Sequence, residues 1–258
     1  RVHFFYKSSS KYAELWKEFQ PTAVEFLKFF STVIGKYPYK QYSIIMAGDG
    51  GMEYAMCTFI NGVGHPSIYS LYSVTSHEIA HTWFHFLLAT NESKHSWMDE
   101  GFTSYIDDVA LNVVLKQGKA LPNSAAYNDY FRWVATGLEE PMTTHADRFK
   151  YNSGYGMTAY DKGSIFLSQL KYIIGKENFE NTLKKYFDEW AFKHPKPNDF
   201  IRCAEKVSEL ELDWYLLDWT QSTMTIDYSV NSVYGADNKT KVVLKRIGQM
   251  GMPIDLRI

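Results

Sequence analysis

Cysteine is nearly absent: Cys57 and Cys203 are the only two in 258 residues, which excludes a disulfide framework while leaving a single bridge open. Cysteine usage therefore does not reveal the compartment. Net charge is equally scarce, -2 with no block of like charges, so no long-range field draws in nucleic acid or an anionic membrane. No apolar run approaches the roughly 18 residues of a membrane-spanning helix, and there is no Gly-Lys-Ser or Gly-Lys-Thr phosphate loop. The opening Arg1-Val2-His3-Phe4-Phe5-Tyr6 is neither a signal peptide nor a natural initiator; it reads as the start of a piece excised from a longer soluble protein. What the chain does have is apolar mass, 45% hydrophobic and 17% aromatic, ample for a core and incompatible with general disorder. Partners must then be recognised locally, at a site.

Ser76-His77-Glu78-Ile79-Ala80-His81 offers one. In a helix, His77 and His81 stack on one face and can grip a single metal ion. Leu71, Val74, Ile79, Ala80, Trp83, Phe84, Leu87 and Leu88 cover most of the remaining faces, the pattern of a buried helix. In H-E-x-x-H, zinc takes both imidazoles and the intervening glutamate serves as general base. Catalytic zinc usually takes three protein ligands, so a further donor is required. Glu100 follows His81 after eighteen residues, 82 to 99, enough to end one helix, turn and begin an antiparallel partner. A carboxylate in a first turn also simply complements the helix dipole. Asp107, two turns on, either orients a ligating imidazole or joins Asp108 on a solvated face.

Elsewhere, residues 1 to 6 read as a strand, Lys11 to Ile34 as helix with Pro21 breaking it or starting a second one, and Tyr42 to Met46 and Met56 to Ile60 as strands. Gly48-Asp49-Gly50-Gly51-Met52-Glu53-Tyr54 is either a hairpin loop with positive-φ glycines or a strand edge where a ligand backbone approaches closely and Glu53 meets its positive group. Asn61 to Pro66 is a loop. Residues 97 to 115 suit a helix, as do parts of 118 to 150 around Tyr127 to Val134. Tyr151 to Ser164 reads as a loop entering a helix. Helices follow at roughly 160 to 174, 177 to 190, 198 to 208 and 212 to 221. Residues 225 to 258 alternate as strands, the last at Ile254 to Ile258. His65, His85, His95, His145 and His194 read as ordinary polar surface.

His77-Glu78-x-x-His81, eighteen residues, then Glu100, preceded by Gly50-Gly51-Met52-Glu53, resembles the gluzincin zinc aminopeptidases, the family of aminopeptidase N and leukotriene A hydrolase. The resemblance implies an α+β, predominantly helical, thermolysin-like catalytic domain over 1–224, and the start of a truncated β-sandwich over 225–258. It implies one zinc per chain on His77, His81 and Glu100, with Glu78 as general base. The family's Gly-x-Met-Glu-Asn glutamate binds the substrate's free α-amino group, a role that falls here to Glu53, with Gly50, Gly51 and Met52 lining the substrate and Met52 beside the first side-chain pocket. Tyr160-Asp161-Lys162-Gly163 matches the family's Tyr-x-Lys-Gly element, whose tyrosine donates to the oxyanion; Tyr155 is similar to an accessory tyrosine. Two departures stand out: Tyr54 and Asp99 each occupy a position where asparagine is usual.

The implied activity is hydrolysis of the first peptide bond of a peptide with a free N-terminus, with additional domains of the same full-length chain closing the site, so that this piece alone binds zinc but hydrolyses poorly. A thermolysin-type zinc endopeptidase would use the same metal kit without needing Glu53, and a non-catalytic peptide-binding relative would dispense with the metal. No nucleic acid and no membrane span are expected.

Overall fold

Residues 1–48, 50–62 and 67–257 are described by a computed structural model. Asp49, Val63, Gly64, His65, Pro66 and Ile258 lie outside the described residues, and with them the greater part of the loop expected over 61 to 66 and the surface position expected for His65. The structure is α+β and predominantly helical.

Four short strands, β1 (Val2–Phe5), β2 (Tyr42–Ala47), β3 (Gly51–Tyr54) and β4 (Cys57–Asn61), make one mixed sheet in the order β1-β2-β4-β3. The first three strands of that order are parallel, and β3 runs antiparallel to β4 as the sheet's edge, pairing Glu53 with Thr58. Gly50 and Gly51 therefore supply no positive φ; among the described residues the positive-φ glycines are 118, 137 and 175. Gly51–Tyr54 is thus an edge strand rather than a hairpin loop with positive-φ glycines. Between β1 and β2 lie α1 (Ala13–Glu18) and α2 (Gln20–Val33). Pro21 sits in the first turn of α2, where its missing N–H leaves no bond unmade.

α3 (Ile68–Ala80) starts at Ser67, whose hydroxyl accepts the Ser70 N–H at 3.1 Å. It buries Leu71, Ile79 and Ala80 together with Thr75, Ser76 and Glu78. The sequence pattern predicts one helix through Leu88, but regular geometry ends at Ala80. Thr82–Leu87 forms a widened turn in which Phe84 (φ -95°, ψ 61°) and His85 (φ 176°, ψ -68°) leave helical values. Trp83, Phe84, Leu87 and Leu88 are all buried, so packing on every side overrides the helical ladder there. Trp83 is pinned by its indole N–H to the Gly35 carbonyl at 2.7 Å and by the Phe30 ring at 5.7 Å.

A second widened turn, Trp97–Gly101, leads into α4 (Phe102–Val114), which packs on α3. After α5 (Ser124–Val134) and α6 (Asn152–Gly156), a third widened turn, Met157–Lys162, enters α7 (Gly163–Ile174). Tyr151 to Ser164 is thus largely helical rather than a loop. The second turn crosses the start of α7 at two glycines: a Cβ on Gly101 would lie 2.6 Å from Gly163 Cα, and one on Gly163 would lie 2.7 Å from Gly101 Cα. No larger residue allows these backbones so close.

α8 (Lys176–Trp190), α9 (Pro197–Ser208) and α10 (Asp213–Gln221) complete the helical layer. Its core is aromatic, with Trp97 on Phe166 at 4.9 Å and Phe102 on Phe200 at 4.7 Å. The chain then forms a hairpin, β5 (Tyr228–Ala236) and β6 (Lys239–Arg246), closed by Asp237 and Asn238, both at positive φ. Residues 251 to 257 have no strand, so the expected terminal strand from Ile254 is not formed. Cys57 and Cys203 are free thiols, which closes the single-bridge possibility. Among the described residues no helix is long and apolar enough to cross a membrane.

Candidate active site

α3 presents His77 in its last turn and His81 at its C-terminus, and the Trp97–Gly101 turn brings Glu100 up against both. His77 Nε2 and His81 Nε2 are 3.2 Å apart, and each is 3.3 Å from Glu100 Oε2. A tetrahedral zinc with ligands at about 2.0–2.1 Å has ligand–ligand edges of about 3.3 Å. The three donor atoms therefore already stand at the corners of one face of such a tetrahedron, and the chemistry of the set, two imidazoles and a carboxylate, suits zinc.

The donors are held in the right form. His81 Nδ1 donates to Asp99 Oδ1 at 2.6 Å, with Thr103 Oγ1 at 3.2 Å on the same nitrogen, which fixes one proton on Nδ1 and leaves Nε2 as the nitrogen that faces a metal. Burial opposes charge on His81, yet Asp99 and Glu100 hold its pKa well above the ordinary imidazole value. Burial likewise works to raise Glu100, but the His77 and His81 rings hold it below the usual carboxylate range. A positive charge here is thus strongly favoured, whether a proton or a metal ion supplies it.

Glu78 lies one residue from His77 on the buried side of α3, and among the described residues its Oε2 has no hydrogen-bond partner. Burial pushes its pKa up to about 8, against the pull of His81. Space for it comes from Gly51: a Cβ there would collide with the Glu78 carboxylate and come within 2.7 Å of Val74 Cγ2. Asp107 is buried, not solvated; burial raises it to about 7, opposed by nearby His77.

β3 runs past this group. Glu53 is 7% exposed and has a carboxylate oxygen within 4.8 Å of a His81 nitrogen and an Asp99 oxygen. Strand alternation turns Met52 and Tyr54 to the other face, where both are exposed and Tyr54 packs on Phe59 at 4.9 Å. The structure thus gathers Glu53 and Gly51 at the site but not the Met52 side chain. Gly50 has open space around it.

Tyr160, from the third widened turn, donates its hydroxyl to Glu100 Oε1 at 2.6 Å and lies parallel to the His77 ring at 5.9 Å. Burial and Glu100 raise its pKa far above neutrality, so it remains a donor. Tyr155 meets it edge-on at 6.3 Å. Lys162, on the same turn, is buried and paired with Glu139 at 2.6 Å, which anchors the turn.

Sequence reasoning missed two participants. Asp99, noted only as a departure from asparagine, is the acceptor that orients His81. His85 is not surface: its side chain is 18% exposed, and one nitrogen lies within 4.8 Å of carboxylate oxygens of Glu53 and Glu92. The only signal for it was that 85 continues the four-residue spacing of 77 and 81.

The peptidase family M1 domain matches residues 19–219 of the chain. Rat (Rattus norvegicus) aminopeptidase B is 28% identical over 198 residues, which is 72% of this chain and 30% of that protein. Leucine aminopeptidase 2-1 of Meyerozyma guilliermondii is 26% identical over 222 residues, 76% of this chain and 35% of that one. The chain thus spans about a third of the length of the curated relatives it matches. An M1 zinc metallopeptidase from Deinococcus radiodurans has a similar fold, with a TM-score of 0.64 at 19% identity over 78% of this chain and 43% of that structure.

Proposed function

The chain belongs to peptidase family M1, and on that premise we propose that it forms the catalytic unit of a zinc-dependent aminopeptidase. The unit is thermolysin-like over 1–224, with 225–258 beginning a separate β-domain and with further domains of the full-length protein completing the cleft. The observation that carries the reading is the convergence of His77 Nε2, His81 Nε2 and Glu100 Oε2 at 3.2–3.3 Å beside the buried carboxylate of Glu53.

One zinc per chain would be held by those three atoms. When bound, it supplies Lewis acidity to the scissile carbonyl and to water. The chain's own residues supply the rest. A peptide lying antiparallel along the exposed edge of β3 gains main-chain hydrogen bonds there, with Gly50 and Gly51 offering no side chain to block it. Glu53 receives the peptide's α-ammonium in a charge-assisted bond, which sets the first peptide bond at the metal. Glu78 takes a proton from the attacking water and returns it to the departing amine. Burial favours the protonated form of this carboxylate, which suits it to hold the proton between the two transfers. Tyr160 turns its hydroxyl from Glu100 toward the oxyanion as charge develops, and Tyr155 borders the same space.

Glu53 distinguishes this reading from an endopeptidase, which has no need of a buried carboxylate at the edge of β3. In the full-length protein, with a panel of aminoacyl chromogenic substrates, Glu78→Gln is expected to lower turnover at least about 100-fold while zinc content stays unchanged. Unchanged turnover would overturn the mechanism.

A further inference from the structure

We propose that Glu53, His85 and Glu92 form a second divalent-cation site adjoining the His77–His81–Glu100 centre. One donor atom from each of the three lies within 4.8 Å of the others, and His85 Nε2 is 3.7 Å from Glu92 Oε2. An ion with nitrogen and oxygen ligands at about 2.0–2.2 Å holds them no more than about 4.4 Å apart. The His85–Glu92 pair already satisfies that limit, and the contacts with Glu53 exceed it by no more than about 0.4 Å.

The three donors come from unrelated parts of the fold. Glu53 is on the edge strand β3, Glu92 is on the loop after the first widened turn, and His85 is turned out of the α3 path by the non-helical backbone at Phe84 and His85. Two of them show unspent capacity. Glu53 is 7% exposed and its carboxylate has no hydrogen bond or ion pair among the described residues, where the buried Nδ1 of His85 has no partner either. Burying a carboxylate in that condition is unfavourable unless a cation accompanies it. Among the described residues, no lysine or arginine pairs with Glu53, Glu78, Glu92, Asp99 or Glu100; their ion pairs are with histidine alone. The cleft is a region of uncompensated negative charge with imidazole set into it, the environment a borderline cation such as zinc selects.

Because Glu53 belongs to both features, an ion at the second site displaces a substrate ammonium, and excess zinc inhibits competitively. That consequence rests on the aminopeptidase reading; the metal count does not. Zinc alone, titrated into the metal-stripped chain against a chromophoric chelator, is expected to show two equivalents of unequal affinity. In His85→Ala and in Glu92→Gln the weaker equivalent should lose at least about tenfold in affinity while the tighter one is unchanged. His77→Ala should do the reverse. Glu92 is on the surface, so its variant folds even if His85→Ala does not. A single equivalent in the parent chain, or a second one untouched by both variants, overturns the proposal, whereas loss of the tighter equivalent alone would count against the catalytic centre.

Discussion

His81 performs two tasks with one ring: Nδ1 donates to Asp99 at 2.6 Å, and that bond leaves Nε2 aimed at His77 and Glu100. Asp99 therefore acts on any bound metal through His81 rather than by touching it. Replacing Asp99 by alanine should weaken zinc binding about 10- to 100-fold, read by chelator competition, with folding intact by circular dichroism. Undiminished affinity would mean that the orientation of His81 is set elsewhere, for instance by Thr103. At this scale the sequence was informative wherever chemistry imposes a spacing. His77, Glu78 and His81 are legible because packing alone seldom sets two imidazoles and a carboxylate together on a buried helix. Glu100 was legible as a third donor only because two histidines require one. Tyr160 carried no such signal in itself and came from the resemblance alone. The roles of Asp99 and His85 depend on ring orientation, which side-chain spacing does not encode.

Among the elements, the three widened turns matter most, since His85, Glu100 and Tyr160 each lie on one. None was legible, because a turn of slightly larger radius keeps nearly the same apolar spacing as an α-helix. The elements themselves followed periodicity well from α7 to α10. The strand pattern failed at Ile254, where alternating residues found no partner strand to bond. The Gly101–Gly163 crossing brings together the segments that carry Glu100 and Tyr160, whose side chains are joined by a hydrogen bond of 2.6 Å. Gly101→Ala should force the two backbones apart and destabilise the fold by about 1–3 kcal/mol. Urea unfolding midpoints at constant m-value would measure this. An unshifted midpoint would show that the crossing relaxes without strain.

For the whole molecule, a cleft with so many carboxylates and, among the described residues, no lysine or arginine paired to them should be more stable with its cation than without. Zinc at a hundredfold over its dissociation constant contributes about 2.7 kcal/mol, worth about 5–11 °C in melting temperature for a chain of this size. In a His77→Ala, His81→Ala double variant the rise should fall to the smaller contribution of the weaker Glu53–His85–Glu92 site, and an undiminished rise there would place the tighter ion elsewhere. The central claim, that this metal centre serves a substrate amine held by Glu53, is tested most directly by the ratio of hydrolysis rates for one peptide with a free and with an acetylated N-terminus. In zinc-loaded full-length protein, with products identified by mass spectrometry, cleavage is expected at the first peptide bond of the free-amine peptide and to be nearly abolished by acetylation. Equal rates for the two, or cleavage at internal bonds first, would contradict it.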